Sequence, residues 1–277
     1  MQEDEKLHKV LARAGLGSRR EMETAISEGK ATVNGKTAVL GDRVTPEDKI
    51  TFNGRAVKSD DAKQQRVRVI LYNKPEGEIC TRSDPEGRPT VFDKLPELKQ
   101  GRWISVGRLD FNTSGALLFT NDGDVANKLM HPSSIIDREY LVRVFGTVDD
   151  DIKKRLLEGV LLEDGMARFT DLKESTKDKD RWFYCVVMEG RNREVRRLWE
   201  SQGLKVNRLK RVRFGNIFIP SHVRSGQWIE LTEKEINELA QTAGVEVSKS
   251  NVRFSPKEKE EYLRHQRKLR GARRPRR

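Results

Sequence analysis

The feature that most constrains the fold is a polar loop between two apolar runs near the middle of the chain. The loop spans residues 107–115 and reads Gly-Arg-Leu-Asp-Phe-Asn-Thr-Ser-Gly. Residues 103–106 precede it and residues 116–119 follow it, and both runs are rich in large apolar side chains. Such a pattern predicts strand, loop and strand. Because a sheet would hold both ends, the loop can aim Asp110 at a ligand.

Length and charge narrow the class of protein. A chain of 277 residues can form two domains, each with its own core. Its formal net charge of +12 points to a polyanionic partner. Residues 264–277 alone hold eight Lys and Arg residues and no acid. The rest is therefore only mildly basic, and a nucleic-acid face there requires local clustering.

Several other classes are disfavoured by motifs that the sequence lacks. The N-terminus is charged from Glu3 onward, so we expect no signal peptide, and no stretch reaches the roughly 18 apolar residues that span a bilayer. The histidines show no pair at metal-ligand spacing, and no glycine-rich loop follows a strand to bind a nucleotide cofactor. Cys80 and Cys185 are typical of buried thiols in a reducing compartment. We expect a soluble, cytoplasmic protein without metal, cofactor or membrane partner.

The N-terminal region predicts a small basic domain of two helices and short strands. Leu7, Val10 and Leu11 have the spacing of an apolar helix stripe, and Ser18 begins a capping box for a second helix. The candidates for phosphate contact here are Lys9, Arg13, Arg19, Arg20 and Lys36. The alternative is a solvated basic surface.

The domain boundaries follow from composition. Residues 58–66 contain no apolar residue larger than alanine, which predicts a hinge. We therefore expect one domain at 1–64 and a second at 65–245. The charged, apolar-poor segment at 246–277 is expected to be a disordered basic tail.

The second domain mixes strand and helix signals. An alternating strand is predicted at 67–72, and another at 138–145 that places Tyr140 on the face of Val142. A helix predicted within residues 190–199 has the apolar stripe of Val195, Leu198 and Trp199. Its outward basic residues are the further RNA-contact candidates Arg191, Arg193 and Arg197. The alternative for Tyr140 is a core aromatic residue. The alternative for the helix is a basic helix that lies along an RNA groove.

Three segments carry a family resemblance. The stretch GRLDFNTSGALLFTNDG, residues 107–123, resembles the catalytic segment of the pseudouridine synthases that act on ribosomal RNA. Residues 4–64 resemble the S4 RNA-binding domain, and residues 74–93 are similar to the family branch that acts on the large subunit. The resemblance implies an α+β chain, with a small N-terminal S4-like α-L RNA-binding domain before a catalytic domain. The latter is expected to be a mixed, mainly antiparallel β-sheet flanked by helices.

The resemblance also implies roles for particular residues. In this family the aspartate of the G-R-L-D segment is essential, which assigns catalysis to Asp110. The R-E-Y segment matches the second motif, so Tyr140 is expected to stack on the target base. Residues 190–199 are similar to the third motif and align Arg196 as the cation that pairs with Asp110. Arg108 is expected to fill the gap left by a flipped base or to contact phosphate. A turn aspartate that binds local N–H groups is the alternative for Asp110.

The expected function is the isomerisation of a uridine to pseudouridine in large-subunit ribosomal RNA, by a monomer that needs no metal or cofactor. The target base is expected to be flipped out, because its reacting atoms lie inside the RNA. Asp110 then acts on the sugar, either by attack on carbon 1 or by removal of the 2′ proton. Two alternatives stay open: a sibling enzyme that modifies small-subunit RNA, and a non-catalytic ribosomal-RNA-binding or assembly protein. The intact Asp110 motif argues against the second.

Overall fold

A computed structural model of the chain describes residues 4–57, 66–98, 101–175 and 181–244. Apart from residue 66, the predicted hinge at 58–66 lies outside the described residues. The predicted basic tail at 246–277 also lies outside them. None of the helices within the described ranges combines the length and apolar character needed to cross a bilayer.

The N-terminal unit consists of two helices and six short strands. In chain order they are β1 (Glu5–Lys6), α1 (Leu7–Arg13), α2 (Arg19–Ser27), β2 (Ala31–Val33), β3 (Lys36–Thr37), β4 (Arg43–Val44), β5 (Ile50–Phe52) and β6 (Arg55–Val57). The predicted capping box is present, because Ser18 accepts from the Glu21 N–H and Glu21 accepts from the Ser18 N–H. Leu7 and Leu11 of α1 pack with Ile26 of α2 in a separate hydrophobic core.

The second unit holds the remaining elements. They are β7 (Val69–Lys74), β8 (Ile104–Val106), β9 (Ser114–Thr120), α3 (Gly123–Met130), β10 (Arg138–Phe145), α4 (Asp150–Glu158), β11 (Val160–Leu162), β12 (Gly165–Ala167), β13 (Asp171–Glu174), β14 (Trp182–Val187), α5 (Glu194–Glu200), β15 (Lys205–Phe214), β16 (Ile217–Phe218), β17 (Trp228–Glu230) and α6 (Glu233–Thr242), with a 3-10 turn at Pro132–Ser134.

One sheet organises this second unit. Its main path runs β13-β14-β10-β15-β9-β7-β17, with β8 added beside β9 and β16 beside β15. Within the described ranges, only the β9–β15 pair is parallel, and every other pair of this sheet is antiparallel. The prediction of an α+β chain with a mixed, mainly antiparallel sheet is therefore confirmed.

The sheet is buried on both faces. In β7, Ile70 and Tyr72 join the hydrophobic cluster on the side of α4 and α5, whereas Val69 and Leu71 join the cluster on the side of α3 and α6. All six residues of β7 are buried. The alternating strand predicted at 67–72 is therefore present but begins at residue 69. It is buried on both faces, and not on one alone, because helices cover both sides of the sheet.

Candidate active site

An open cleft of about 1000 Å³ lies where the predicted loop meets the central strands. The predicted residues that it brings together are Asp110, Tyr140, Arg108, Arg191 and Arg193. The loop connects β8 to β9, as the sequence predicted, and Tyr140 lies in β10. This volume is at the upper end of the range of about 300–1,000 Å³ that is common for small-molecule pockets.

The loop ends where two strands approach very closely. Gly115 of β9 has φ +109°, a conformation that L side chains rarely adopt. A Cβ at this position would overlap the carbonyl oxygen of Arg211 and would lie 2.8 Å from its backbone nitrogen. Glycine is therefore required for the parallel pairing of β9 with β15, which sets the position of the loop.

A buried lysine holds the loop from the side of β7. The Nζ of Lys74 donates to the carbonyl oxygens of Thr113 at 2.9 Å, Pro75 at 3.0 Å and Asp110 at 3.2 Å. Its side chain is fully buried. Burial lowers the pKa of Lys74, and nearby acidic groups, among them Asp110, act in the opposite direction. Lys74 thus fixes the backbone on both sides of the loop's centre, a contact that the sequence analysis missed.

Arg196 lies against the same loop, but not against the Asp110 carboxylate. It donates to the carbonyl oxygens of Asn112 at 2.9 Å and Val206 at 3.2 Å. Burial lowers the pKa of Arg196 and Arg193 lowers it further, while Asp110 raises it. The predicted direct ion pair with Asp110 is therefore not formed here. The reason is geometric, because α5 directs the guanidinium group toward the loop backbone. Arg196 therefore acts on Asp110 through the electrostatic field of its charge and by holding the loop in position.

The carboxylate of Asp110 is consequently available. Among the described residues it accepts no hydrogen bond, and no basic nitrogen lies within 4.0 Å of it. Its backbone carbonyl oxygen, in contrast, accepts from the Thr113 N–H at 3.0 Å. Tyr140 is 8% exposed and belongs both to the core and to the wall of the cleft. Its position is compatible with the stacking role and equally with the core role.

The nine predicted RNA contacts divide into two groups. Five are paired with acids: Lys9 with Glu5 and Asp124, Arg13 with Glu5, Arg191 with Glu189 and Asp164, Arg193 with Glu200, and Arg197 with Asp164. The other four, Arg108, Arg19, Arg20 and Lys36, are exposed and have no acidic partner within the described ranges. Of the nine, only Arg108, Arg191 and Arg193 line the cleft.

Two arginines that line the cleft were not predicted. Arg138 begins β10, and Arg211 lies in β15 opposite Tyr140. Both are buried, with 7% and 3% of their surfaces exposed. The alternation of β10 was a usable signal, because Arg138 shares the inward parity of Tyr140 and Val142. The register of β15 against β10 contains shifts, so the inward direction of Arg211 could not be read from alternation alone.

Comparison with known proteins gives a consistent assignment. The model of the RNA pseudouridylate synthase family matches residues 68–201, and the S4 domain model matches residues 5–50. A relative in Vibrio cholerae is 54% identical over 90% of this chain and 78% of its own length. One in Pseudomonas aeruginosa is 57% identical over 87% of this chain, but the match spans 63% of that relative's length. Both are named ribosomal large subunit pseudouridine synthase B.

A solved structure agrees with the sequence relatives. The crystal structure of a pseudouridylate synthase superimposes with a TM-score of 0.59 at 26% identity, and it covers 84% of this chain and 99% of that one. The Asp110 loop, Tyr140 and the Arg196 helix all lie within the matched residues 68–201. This chain, an S4 domain joined to a synthase domain, belongs to the RNA pseudouridylate synthase family.

Proposed function

We propose that this chain isomerises a specific uridine to pseudouridine in large-subunit ribosomal RNA, and that it acts as a cytoplasmic monomer. The large-subunit target follows the name that its relatives share. The observation that carries the catalytic part is the Asp110 carboxylate. It lies on a loop held by Lys74 and Arg196, it faces an arginine-lined cleft, and it has no hydrogen-bond or ion-pair partner among the described residues.

The reaction breaks the bond between N1 of uracil and carbon 1 of the ribose and joins the same carbon to C5 of the base. N1 gains a proton and C5 loses one, so substrate and product are isomers. The chain must therefore hold the detached base while it turns, and must stabilise the sugar. The reacting atoms become accessible only after the uridine leaves its stack.

The residues divide these tasks. Asp110 acts on the ribose as an ionised carboxylate. Lys74 and Arg196 hold the Asp110 loop in place, because both donate hydrogen bonds to its backbone carbonyl oxygens. Tyr140 supplies an aromatic face in the wall of the cleft. Arg108 is exposed at the cleft and available to the RNA that surrounds the flipped base. Positioning of this kind accounts for a large part of many enzymatic rate enhancements.

The test is to map pseudouridines in ribosomal RNA from cells with and without this gene, and to complement the deletion with the wild-type chain or Asp110→Asn. We expect one large-subunit position to lose its modification and only the wild type to restore it. The control is that Asp110→Asn still binds RNA with the wild-type affinity.

Other outcomes of the mapping would replace the proposal. Loss of a pseudouridine from small-subunit RNA would assign the chain to a sibling activity. An unchanged map in the deletion, or full restoration by Asp110→Asn, would favour a non-catalytic role in RNA binding or assembly.

A further inference from the structure

Arg138 and Arg211 form a buried pair of like charges in the wall of the cleft. The carbon atoms at the centre of their guanidinium groups lie 5.2 Å and 5.3 Å from the ring centre of Phe214. Burial lowers the pKa of Arg138, and the charge of Arg211 lowers it further, against the weaker influence of Tyr140, Glu194 and Asp137. The two charges therefore disfavour each other in a region from which water is largely removed.

Among the described residues, no carboxylate oxygen lies within 4.0 Å of a guanidinium nitrogen of Arg138 or Arg211. Arg138 donates to the carbonyl oxygens of Ile136 and Met188, and Arg211 donates through Nε to that of Ala116 at 2.6 Å. The Nη2 of Arg211 is buried and has no hydrogen-bond partner in the described structure. Carbonyl oxygens satisfy donors but carry no formal charge, so neither arginine has an ion-pair partner among the described residues.

Other charged groups near the cleft do have partners. Arg213, two residues along the same strand, pairs with Glu139 at 2.6 Å and with Asp137 at 3.3 Å. Glu194 lines the same cleft, but one of its carboxylate oxygens accepts from the backbone N–H groups of Gly190 and Arg191. Uncompensated buried charge is strongly unfavourable. An anionic ligand that enters the cleft would remove that cost.

We propose that Arg138 and Arg211 form a subsite for one phosphodiester group of the RNA strand that flanks the flipped uridine. This rests on the proposed function, because it takes the occupant of the cleft to be RNA. Guanidinium groups match the oxygens of a phosphate in geometry and charge. A uracil carbonyl oxygen fits less well, since it is neutral and cannot compensate two cations. Arg211 is the cross-strand partner of Tyr140, so the phosphate would lie next to the base-stacking face.

The first measurement is the salt dependence of RNA binding, in an Asp110→Asn background so that turnover plays no part. Large-subunit ribosomal RNA is titrated by filter binding against chains that also carry Arg211→Gln or Arg138→Gln. Loss of one phosphate contact makes the negative slope of log K against log salt shallower by about one. Between about 50 and about 200 mM salt, the Kd of the variant should therefore rise about 3-fold less than the Kd of the parent chain. Arg213→Gln is the control from the same strand and should keep the slope.

The second measurement locates the phosphate. In a synthetic stem-loop around the mapped uridine, the flanking phosphates are replaced one at a time by neutral methylphosphonates. At one position the replacement should weaken binding by about 10-fold, as for a lost charge-assisted hydrogen bond. In the Arg211→Gln chain the same replacement should have no further effect, whereas Arg213→Gln should respond like the parent.

Three results would overturn the subsite: unchanged slopes in both Gln variants, equal methylphosphonate penalties with and without Arg211, or no sensitive flanking phosphate. Thermal unfolding checks each variant, and if Arg211→Gln does not fold, Arg138→Gln and the scan on the parent chain decide. The salt titration needs neither turnover nor a known target. Failure of the proposed function therefore shows in the pseudouridine map, and failure of the subsite shows in binding.

Discussion

At the scale of single residues, the site separates the reacting group from the groups that position it. Lys74 and Arg196 both donate to backbone carbonyl oxygens of the loop, at Thr113 and Asn112 among others. Neither lies within 4.0 Å of the Asp110 carboxylate. The loop is thus held by charged hydrogen bonds, which are stronger than neutral ones, while the carboxylate keeps its lone pairs for the substrate.

Arg196→Gln should reduce turnover much more than RNA binding. It leaves the Asn112 carbonyl oxygen without its charged donor, and an unsatisfied buried group of this kind costs about 1–3 kcal/mol. If the loss of this hydrogen bond raises the free energy of the reactive loop conformation by that amount, kcat decreases by about 10- to 100-fold. Single-turnover rates at saturating RNA measure this effect.

Arg197→Gln is the matched control for this experiment. It lies one position along α5 and forms a two-point ion pair with Asp164, on a partly exposed surface where such pairs contribute about 1 kcal/mol or less. Its saturating rate should stay close to wild type. Equal small losses for both variants would mean that Arg196 has no special part in holding the loop.

At the scale of elements, the parallel contact between β9 and β15 determines where the loop begins. Ser114 and Gly115 pair with Lys210 and Arg211, while β9 continues as an antiparallel partner of β7. Arg211 also donates to Ala116 across this contact. A change in the spacing of these two strands would displace Asp110 and the wall of the cleft together.

Gly115→Ala should therefore be severely destabilising. The new Cβ combines an unfavourable φ with overlap against the Arg211 backbone, so we expect a loss of more than about 3 kcal/mol in the free energy of unfolding. Gly35→Ala is the control: it has φ +81° but nothing within 4 Å of the new Cβ, so strain alone costs about 1–2 kcal/mol. Urea titration of both variants measures the difference. Equal losses would show that close strand approach is not the constraint.

At the scale of the whole molecule, the S4 unit contacts the synthase unit through charges. Lys9 of α1 lies 2.8 Å from Asp124 of α3, and the same lysine is 3.1 Å from Glu5. Glu5 also accepts two hydrogen bonds from Arg13. Two of the basic residues expected on the RNA face are thus engaged within the chain, while Arg19, Arg20 and Lys36 remain exposed.

The exposed basic residues and the acid-paired basic residues of the S4 unit should differ in their effect on the salt dependence of RNA binding. Replacing Arg19, Arg20 and Lys36 together by Gln should lower the salt slope by about 2–3, since each exposed cation can neutralise one phosphate. Replacing Lys9 and Arg13 by Gln should lower it by less than about one. Filter binding over a range of salt compares the two chains. A larger change for the second set would mean that RNA displaces the internal acids.

Local signals were sufficient for much of this protein. The capping box at Ser18, the loop between β8 and β9, the inward Tyr140 and the apolar stripe of α5 were all predicted correctly. Each depends on residues a few positions apart, where periodicity and backbone preference act directly. The loop that carries Asp110 belongs to the same class, because its two flanking strands are enough to predict it. The catalytic role of Asp110, in contrast, came from the family resemblance.

Tertiary structure alone decided which charges meet. Arg196 reaches Asn112 across 84 positions, Arg211 reaches Ala116 across 95, and Lys9 reaches Asp124 across 115. The sequence shows that these residues are charged, but not whether each finds a carbonyl oxygen, an acid or an open cleft. That depends on strand register, on the register shifts between β10 and β15, and on the packing of helices on both faces of the sheet. A shift of one residue in register turns a side chain to the opposite face, so only the assembled sheet determines that Arg211 faces the cleft.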